Sequence, residues 1–251
     1  MEAGLVSVTF RKETYETVLD YCVGSGLSCV EWGSDIHVPA GDMERARAVK
    51  EASDRAGVRI CSYGSYYQLG EYEDVVAVFR PYLETALVLG APIIRVWAGK
   101  IGSADATEEY YERIVEEMKR LCDMTEPHQI TLAFEFHKNT LADTADSALW
   151  LCREIDRKNF GMYYQQKPEN SPEENCATLE KLMPYLKMVH VFYYENRMKK
   201  SLQDEGGVDF WTRIIGRIKE EQVQVNLLLE FLKDSSLEGL KREADVLKKL
   251  L

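Results

Sequence analysis

No apolar run in this 251-residue chain approaches the roughly 20 residues a membrane-spanning helix needs. The opening stretch, MEAGLVSVTF, has no basic segment leading into an apolar one, so no secretory leader is expected and a cytoplasmic location follows. Positive charge is in short supply: 31 Lys and Arg stand against 42 Asp and Glu, a net charge of −11. Acids and bases alternate along helical stretches, which leaves no basic face for nucleic acid. With four histidines, His37, His128, His137 and His190, the chain is poor in ligands for the metal cluster of a phosphodiester-cleaving enzyme. The six cysteines, Cys22, Cys29, Cys61, Cys122, Cys152 and Cys176, form no CxxC pair and sit in apolar patterns. That excludes a zinc framework and a secreted disulfide scaffold, and makes them reduced core thiols. Neither GxGxxG nor GxxxxGK[ST] occurs, so an open doubly wound sheet with a phosphate loop is the weaker alternative.

What the chain does contain is an alternation of strand-like and helical stretches, repeated eight times. The strands are expected at Leu5–Phe10, Leu27–Trp32, Val58–Tyr63, Ile93–Trp97, Ile130–Phe136, Phe160–Tyr164, Met188–Tyr193 and Val223–Phe231. Helical patterns follow each, near Thr14–Val23, Met43–Ala56, Asp74–Leu89, Glu108–Thr125, Thr144–Ile155, Glu173–Leu186, Phe210–Glu221 and Leu237–Leu251. Eight such units close into a parallel barrel, so the expected fold is α/β: one (β/α)8 barrel over residues 1–251. No linker, low-complexity segment or short repeat interrupts it. The longest connection, Tyr194 to Asp209, is a candidate lid.

The stretch from Ile130 to Asp143, ITLAFEFHKNTLAD, carries the first chemical signal. Alternation puts Ala133, Glu135 and His137 on one strand face, and strand ends are where such barrels place their chemistry. Carried round the barrel, the same parity assembles Glu135, His137, Gln165, His190 and Glu230, with Arg95, Trp97 and Arg11 nearby; in strand one it pairs Ser7, Thr9 and Arg11. Glu135 and Glu230 lie across the mouth, where one removes a proton and the other returns one. Two buried acids are costly without a cation. Trp97, Tyr66 and Tyr67 supply aromatic walls suited to the apolar faces of a sugar. The ordinary alternative for His190 is a hydrogen-bonded core residue.

In order, VEWGSDIH, IRVWAGKIGS, LAFEFHKNTLADT, MVHVFYYEN and LLLEF make the chain resemble the xylose-isomerase-like sugar isomerase/epimerase superfamily. The superfamily also contains hydroxypyruvate isomerases, ketose 3-epimerases and type IV endonucleases. The resemblance implies a TIM barrel with a divalent metal (Mn, Mg or Zn) held by residues on strands five to eight, two of them glutamates that also move the proton. Placed on this sequence, the glutamates are Glu135 and Glu230. The strand-six ligand falls on Gln165, and the strand-seven ligand position is occupied by Phe192, in His190-Val191-Phe192. The expected metal set is therefore Glu135, Gln165 and Glu230, a weakened site. Glu31, His37, Tyr66, Trp97, His137, His190, Glu195 and Arg197 are the expected substrate-binding residues. The resulting expectation is a sugar isomerase or epimerase acting next to a carbonyl. A polyol or keto-acid dehydratase, and a sugar-binding or partner subunit that has lost its metal, are the alternatives. Small-molecule binding is expected, without nucleic acid or membrane, and self-association is left open.

Overall fold

The structure, a computed structural model, describes residues 1–251. The chain runs β1 (Glu2–Val6), α1 (Tyr15–Gly24), β2 (Cys29–Gly33), α2 (Met43–Ala56), β3 (Arg59–Gln68), α3 (Val75–Leu89), β4 (Ile93–Trp97) and α4 (Glu108–Thr125). It continues β5 (Thr131–Glu135), α5 (Ala145–Ile155), β6 (Phe160–Tyr164), α6 (Pro172–Leu182), β7 (Leu186–Val191), a small hairpin β8 (Tyr193–Glu195) and β9 (Met198–Lys200), α7 (Glu205–Glu220), β10 (Asn226–Leu229) and α8 (Leu237–Leu250). Eight parallel strands close in the order β1-β10-β7-β6-β5-β4-β3-β2. The (β/α)8 TIM barrel read from the alternation is the fold. No helix is long and apolar enough to cross a membrane.

Local chemistry sets most helix starts. Thr14, Asp42, Asp74, Thr107, Thr144, Ser171 and Ser236 each accept the backbone N–H three residues on. Each such cap contributes about 1 kcal/mol by satisfying a donor that the helix leaves free. Inside faces follow the helical period, as in α4, where Ile114, Val115, Met118, Leu121, Cys122 and Thr125 are buried. These faces join the outward residues of the strands in one continuous core between barrel and helices. A second, smaller core fills the barrel itself: Val6, Val8, Cys29, Cys61, Ala133, Tyr163, Met188 and Leu228.

Three expectations are corrected. β1 stops at Val6 and Ser7–Phe10 coil into a 3-10 turn, so Val6 and Val8 enter the barrel rather than Ser7 and Thr9. Ser7 Oγ instead accepts the N–H of Gly33 at 3.0 Å. Strand three is longer than expected, reaching Gln68 beside Trp97 of β4. Within the long connection stands the β8–β9 hairpin, and α7 begins at Glu205 rather than Phe210.

Candidate active site

Strand parity places the charged side chains one layer above the apolar barrel core. Glu31 stands two residues beyond Cys29, Glu135 two beyond Ala133, His190 two beyond Met188, and Glu230 two beyond Leu228. The charged member of each pair lies nearer the carboxyl end of its strand. With Arg95 of β4, these four form a buried ionic layer. Arg95 Nε donates to Glu31 Oε1 at 2.9 Å, and its Nη1 pairs with Glu135 Oε2. Glu135 Oε2 also accepts the Trp97 indole N–H at 2.6 Å, and Ser62 Oγ donates to Glu31 Oε2 at 2.7 Å. His190 sits between three carboxylates: Nε2 is 3.6 Å from Glu31 Oε1, and Nδ1 is 3.7 Å from Glu135 Oε1 and 3.2 Å from Glu230 Oε2. Gly64 makes room for this layer, because a Cβ there would stand 2.6 Å from Arg95 Nη2 and 2.9 Å from Glu31 Oε1.

Burial by itself would raise the Glu31 carboxyl, but Arg95 and then His190 and Ser62 overcome it and hold it at about 2. Glu135 is held far below the usual carboxylate range, with burial again opposed by Arg95 and His190. For His190 burial favours the neutral ring, yet Glu230, Glu135 and Glu31 together lift it well above the ordinary histidine value. The layer is built to hold positive charge. Removing one partner from such a network typically costs about 3–5 kcal/mol, because the others stay buried without compensation.

Above the layer opens a cavity of about 500 Å³. Glu135, Glu230, Gln165, Tyr66, Trp97, His137 and Arg197 all line it, together with Arg95 and Arg11. Tyr66 covers Arg95, with the guanidinium carbon 5.1 Å from the ring centre, and its hydroxyl accepts Arg11 Nη2 at 3.1 Å. Trp97 stacks on His137 with centroids 5.1 Å apart. Two wall residues, Tyr66 (φ 55°) and Phe231 (φ 48°), occupy the left-handed region that side chains disfavour. Such strain persists where surrounding structure over-determines it, as it does at many sites.

Other expected site residues lie elsewhere. Glu31 and His190 are sealed beneath the cavity floor, fully buried, and do not line it. His37 is turned away under the β2–α2 connection, its Nδ1 3.1 Å from Ser7 Oγ and its Nε2 3.2 Å from the carbonyl of Glu13. Glu195 points outward from the hairpin toward Lys200 and the Tyr193 hydroxyl, 3.8 and 3.4 Å away. Sequence reasoning missed Gly64, Ser62, Phe231 and Gln166. The Gln166 amide both donates to the carbonyl and accepts the N–H of Tyr194, each at 2.8 Å, and so ties the hairpin to the end of β6. No periodic pattern marks such a residue.

The ligand atoms of Glu135, His190 and Glu230 lie within 4.8 Å of one another. Both nitrogens of His190 and Oε2 of Glu230 are buried without an aligned hydrogen-bond partner. Once His190 gives up its extra proton, these unpaired ligand atoms, facing each other across a few ångströms, fit a divalent cation. Gln165 lines the same cavity, its Nε2 donating to the carbonyl of Phe136 at 2.9 Å. The imidazole is supplied by His190, two residues before the expected position, where Phe192 forms cavity wall.

The family model described as xylose isomerase-like TIM barrel matches residues 19–250. A curated 3-dehydroshikimate dehydratase of Bacillus anthracis is 36% identical over 67 residues, 27% of this chain and 24% of that protein, so the matched part spans about a quarter of its length. The crystal structure of a probable 3-DHS dehydratase involved in petrobactin synthesis, also from Bacillus anthracis, superposes with a TM-score of 0.79 at 18% identity over 99% of both chains. A D-psicose 3-epimerase crystallised in the presence of D-fructose gives 0.76 at 14% identity, over 99% of this chain and 98% of that one.

Proposed function

This chain belongs to the xylose isomerase-like TIM barrel family, and from that premise we propose that it is an isomerase or epimerase moving a proton at a carbon next to the carbonyl of a sugar derivative. One observation carries the reading: two buried glutamates, Glu135 and Glu230, reach the floor of one cavity and share His190 Nδ1 between them. The pair is unequal. Arg95 and Trp97 both engage Glu135 Oε2, whereas the charged neighbour of the Glu230 carboxylate is His190, with Nδ1 3.2 Å from Oε2. Glu230 is then the first proton acceptor, and Glu135, also on the cavity floor, is the group that returns the proton. Trp97 and Tyr66 hold the substrate's apolar face, with His137 stacked on Trp97 in the same wall. A divalent metal held by Glu135, His190 and Glu230 would supply Lewis-acid polarisation of the carbonyl.

Dehydration is the second reading, favoured by the 36% identity over 67 residues to a 3-dehydroshikimate dehydratase. Its first step is the same proton abstraction, followed by loss of hydroxide from the neighbouring carbon. Solvent-deuterium exchange separates the cases. Wild type, Glu230→Gln and Glu135→Gln would be incubated in D₂O with a ketose panel and with 3-dehydroshikimate, with Mn²⁺ or Mg²⁺ added or chelated. Exchange with return of an isomer marks the first reading, and exchange with loss of water marks the second. Glu230→Gln should lower either by about a hundredfold or more. Binding without exchange in any condition defeats both and leaves a binding protein.

A further inference from the structure

The charges at the cavity rim run against those of the whole molecule. The chain carries a net −11, yet Arg11, Lys138, Lys167 and Arg197 stand round the opening, against Asp143 and Glu169. Some of these are already engaged. Arg11 pairs with Asp35, Lys167 Nζ donates to the Asp143 carbonyl at 2.8 Å, and Asp143 Oδ2 accepts the N–H of Ser103 at 3.2 Å. Lys138 and Arg197 line the cavity without entering any of these pairings.

The backbone under Arg197 supplies an independent observation. Glu195 pairs with Met198, leaving a two-residue hairpin loop, Asn196-Arg197, with φ of 51° and 61°. Two positive φ values in a two-residue loop mark a type I′ turn, whose second place is normally glycine. An arginine is there instead, in a conformation that disfavours its Cβ. The hairpin holding it is tied down at both ends. Gln166 clasps Tyr194 as described, and beyond β9 the Glu243 carboxylate accepts Ser201 Oγ at 2.6 Å and Leu202 N–H at 2.7 Å. The turn fixes the backbone of Arg197 at the cavity edge, and its guanidinium, which lines the cavity, offers a fork for an oxyanion. The floor, with Glu135 and Glu230, repels one.

We propose that Arg197 and Lys138 form an oxyanion subsite at the rim, so that the substrate is a hydroxy-ketone bearing a carboxylate or phosphate rather than a neutral ketose. The charged end is held at the rim while the neutral carbonyl end reaches the glutamates. The assignment of the reacting end rests on the proton-transfer reading above; the subsite does not.

Isothermal titration with D-fructose, D-fructose 6-phosphate and 3-dehydroshikimate tests it. At least one anion should bind about tenfold or more tighter than fructose, and its affinity should fall as salt is raised. The tighter of the two anions tells phosphate from carboxylate. In Arg197→Gly the preference should shrink to about twofold while the melting temperature rises, since glycine relaxes the turn; Lys138→Ala should lower it in part without that rise. Equal binding of all three probes, or a preference that survives in the doubly substituted protein, overturns the subsite. Deuterium exchange keeps the two ideas apart. Exchange into fructose at the rate seen for the anions would sustain the proton-transfer reading and sink the subsite. An Arg197-dependent anion preference without exchange would do the reverse.

Discussion

Glu31 and Glu135, inside the barrel, face Arg95 and His190, whereas Glu117 on α4 and Glu243 on α8, also buried though less deeply, take their hydrogen bonds from neutral donors. Glu117 accepts the Tyr67 hydroxyl and the Gly70 N–H, each at 2.8 Å, and Glu243 accepts Ser201 and Leu202. Burial pushes all four carboxyls upward. Cations win in the first pair, with Glu31 near 2, and burial wins in the second, where both acids are raised. What a buried acid faces, more than how buried it is, decides its work. The inner pair belongs to the ionic layer under the cavity. The outer pair clamps loops: Glu117 fixes the segment after Tyr66, and Glu243 fixes the exit of the hairpin that carries Arg197.

The largest effect expected from this contrast is at Arg95. Arg95→Met should cost about 3–5 kcal/mol in urea denaturation, because Glu31 and Glu135 would stay buried without their cation. Adding Glu31→Gln should recover part of that loss. A cost under about 1 kcal/mol would mean that the inner acids do not need Arg95.

The pH dependence should have opposite signs in the two pairs. Glu31 titrates at about 2 when folded against an ordinary 4.5, so its contribution is full above 4.5 and lost as pH falls toward 2. The stability of wild type minus that of Glu31→Gln should therefore rise from pH 2 to pH 4.5, by up to roughly 3 kcal/mol. Glu117 is raised above 4.5, so its contribution is full below that value and is lost as pH climbs through its folded pKa. Wild type minus Glu117→Gln should fall over that range. Parallel slopes in denaturation at stepped pH would erase the distinction.

Removing a clamp should act more locally. Glu243→Ala leaves the Ser201 hydroxyl and the Leu202 N–H without an acceptor, a loss of about 1–3 kcal/mol. Amide exchange should quicken in the hairpin before it does in the barrel strands. Uniform quickening would show that Glu243 supports the whole fold. The smallest effect compares strain at two places. Gln129, at φ 58° after the short turn that follows α4, lies far from the cavity lining, and Gln129→Gly should add about 0.5–1 kcal/mol with ligand binding unchanged. Tyr66→Gly relaxes a similar φ of 55° but removes the ring over Arg95, so binding should weaken even if melting temperature is preserved.

Much of this was legible from residue order. Alternating strand and helix patterns identify the barrel, because they are set by neighbours a few positions away. Period-two alternation also places Glu135 and Trp97 on an inward face, and both reach the cavity. Where a strand ended early the same logic failed: Ser7 was assigned to a strand and lies in a turn. His190 was grouped with the cavity residues, but only the closed barrel shows it beneath the floor among Glu31, Glu135 and Glu230, brought together from four strands. Gly64, the Gln166 clasp and the positive φ of Arg197 carry no sequence period at all. The sequence by itself determined which faces point inward, since that depends on local backbone geometry. Only the tertiary structure decided which charges meet, because a buried ion finds its partner across the barrel and not along the chain.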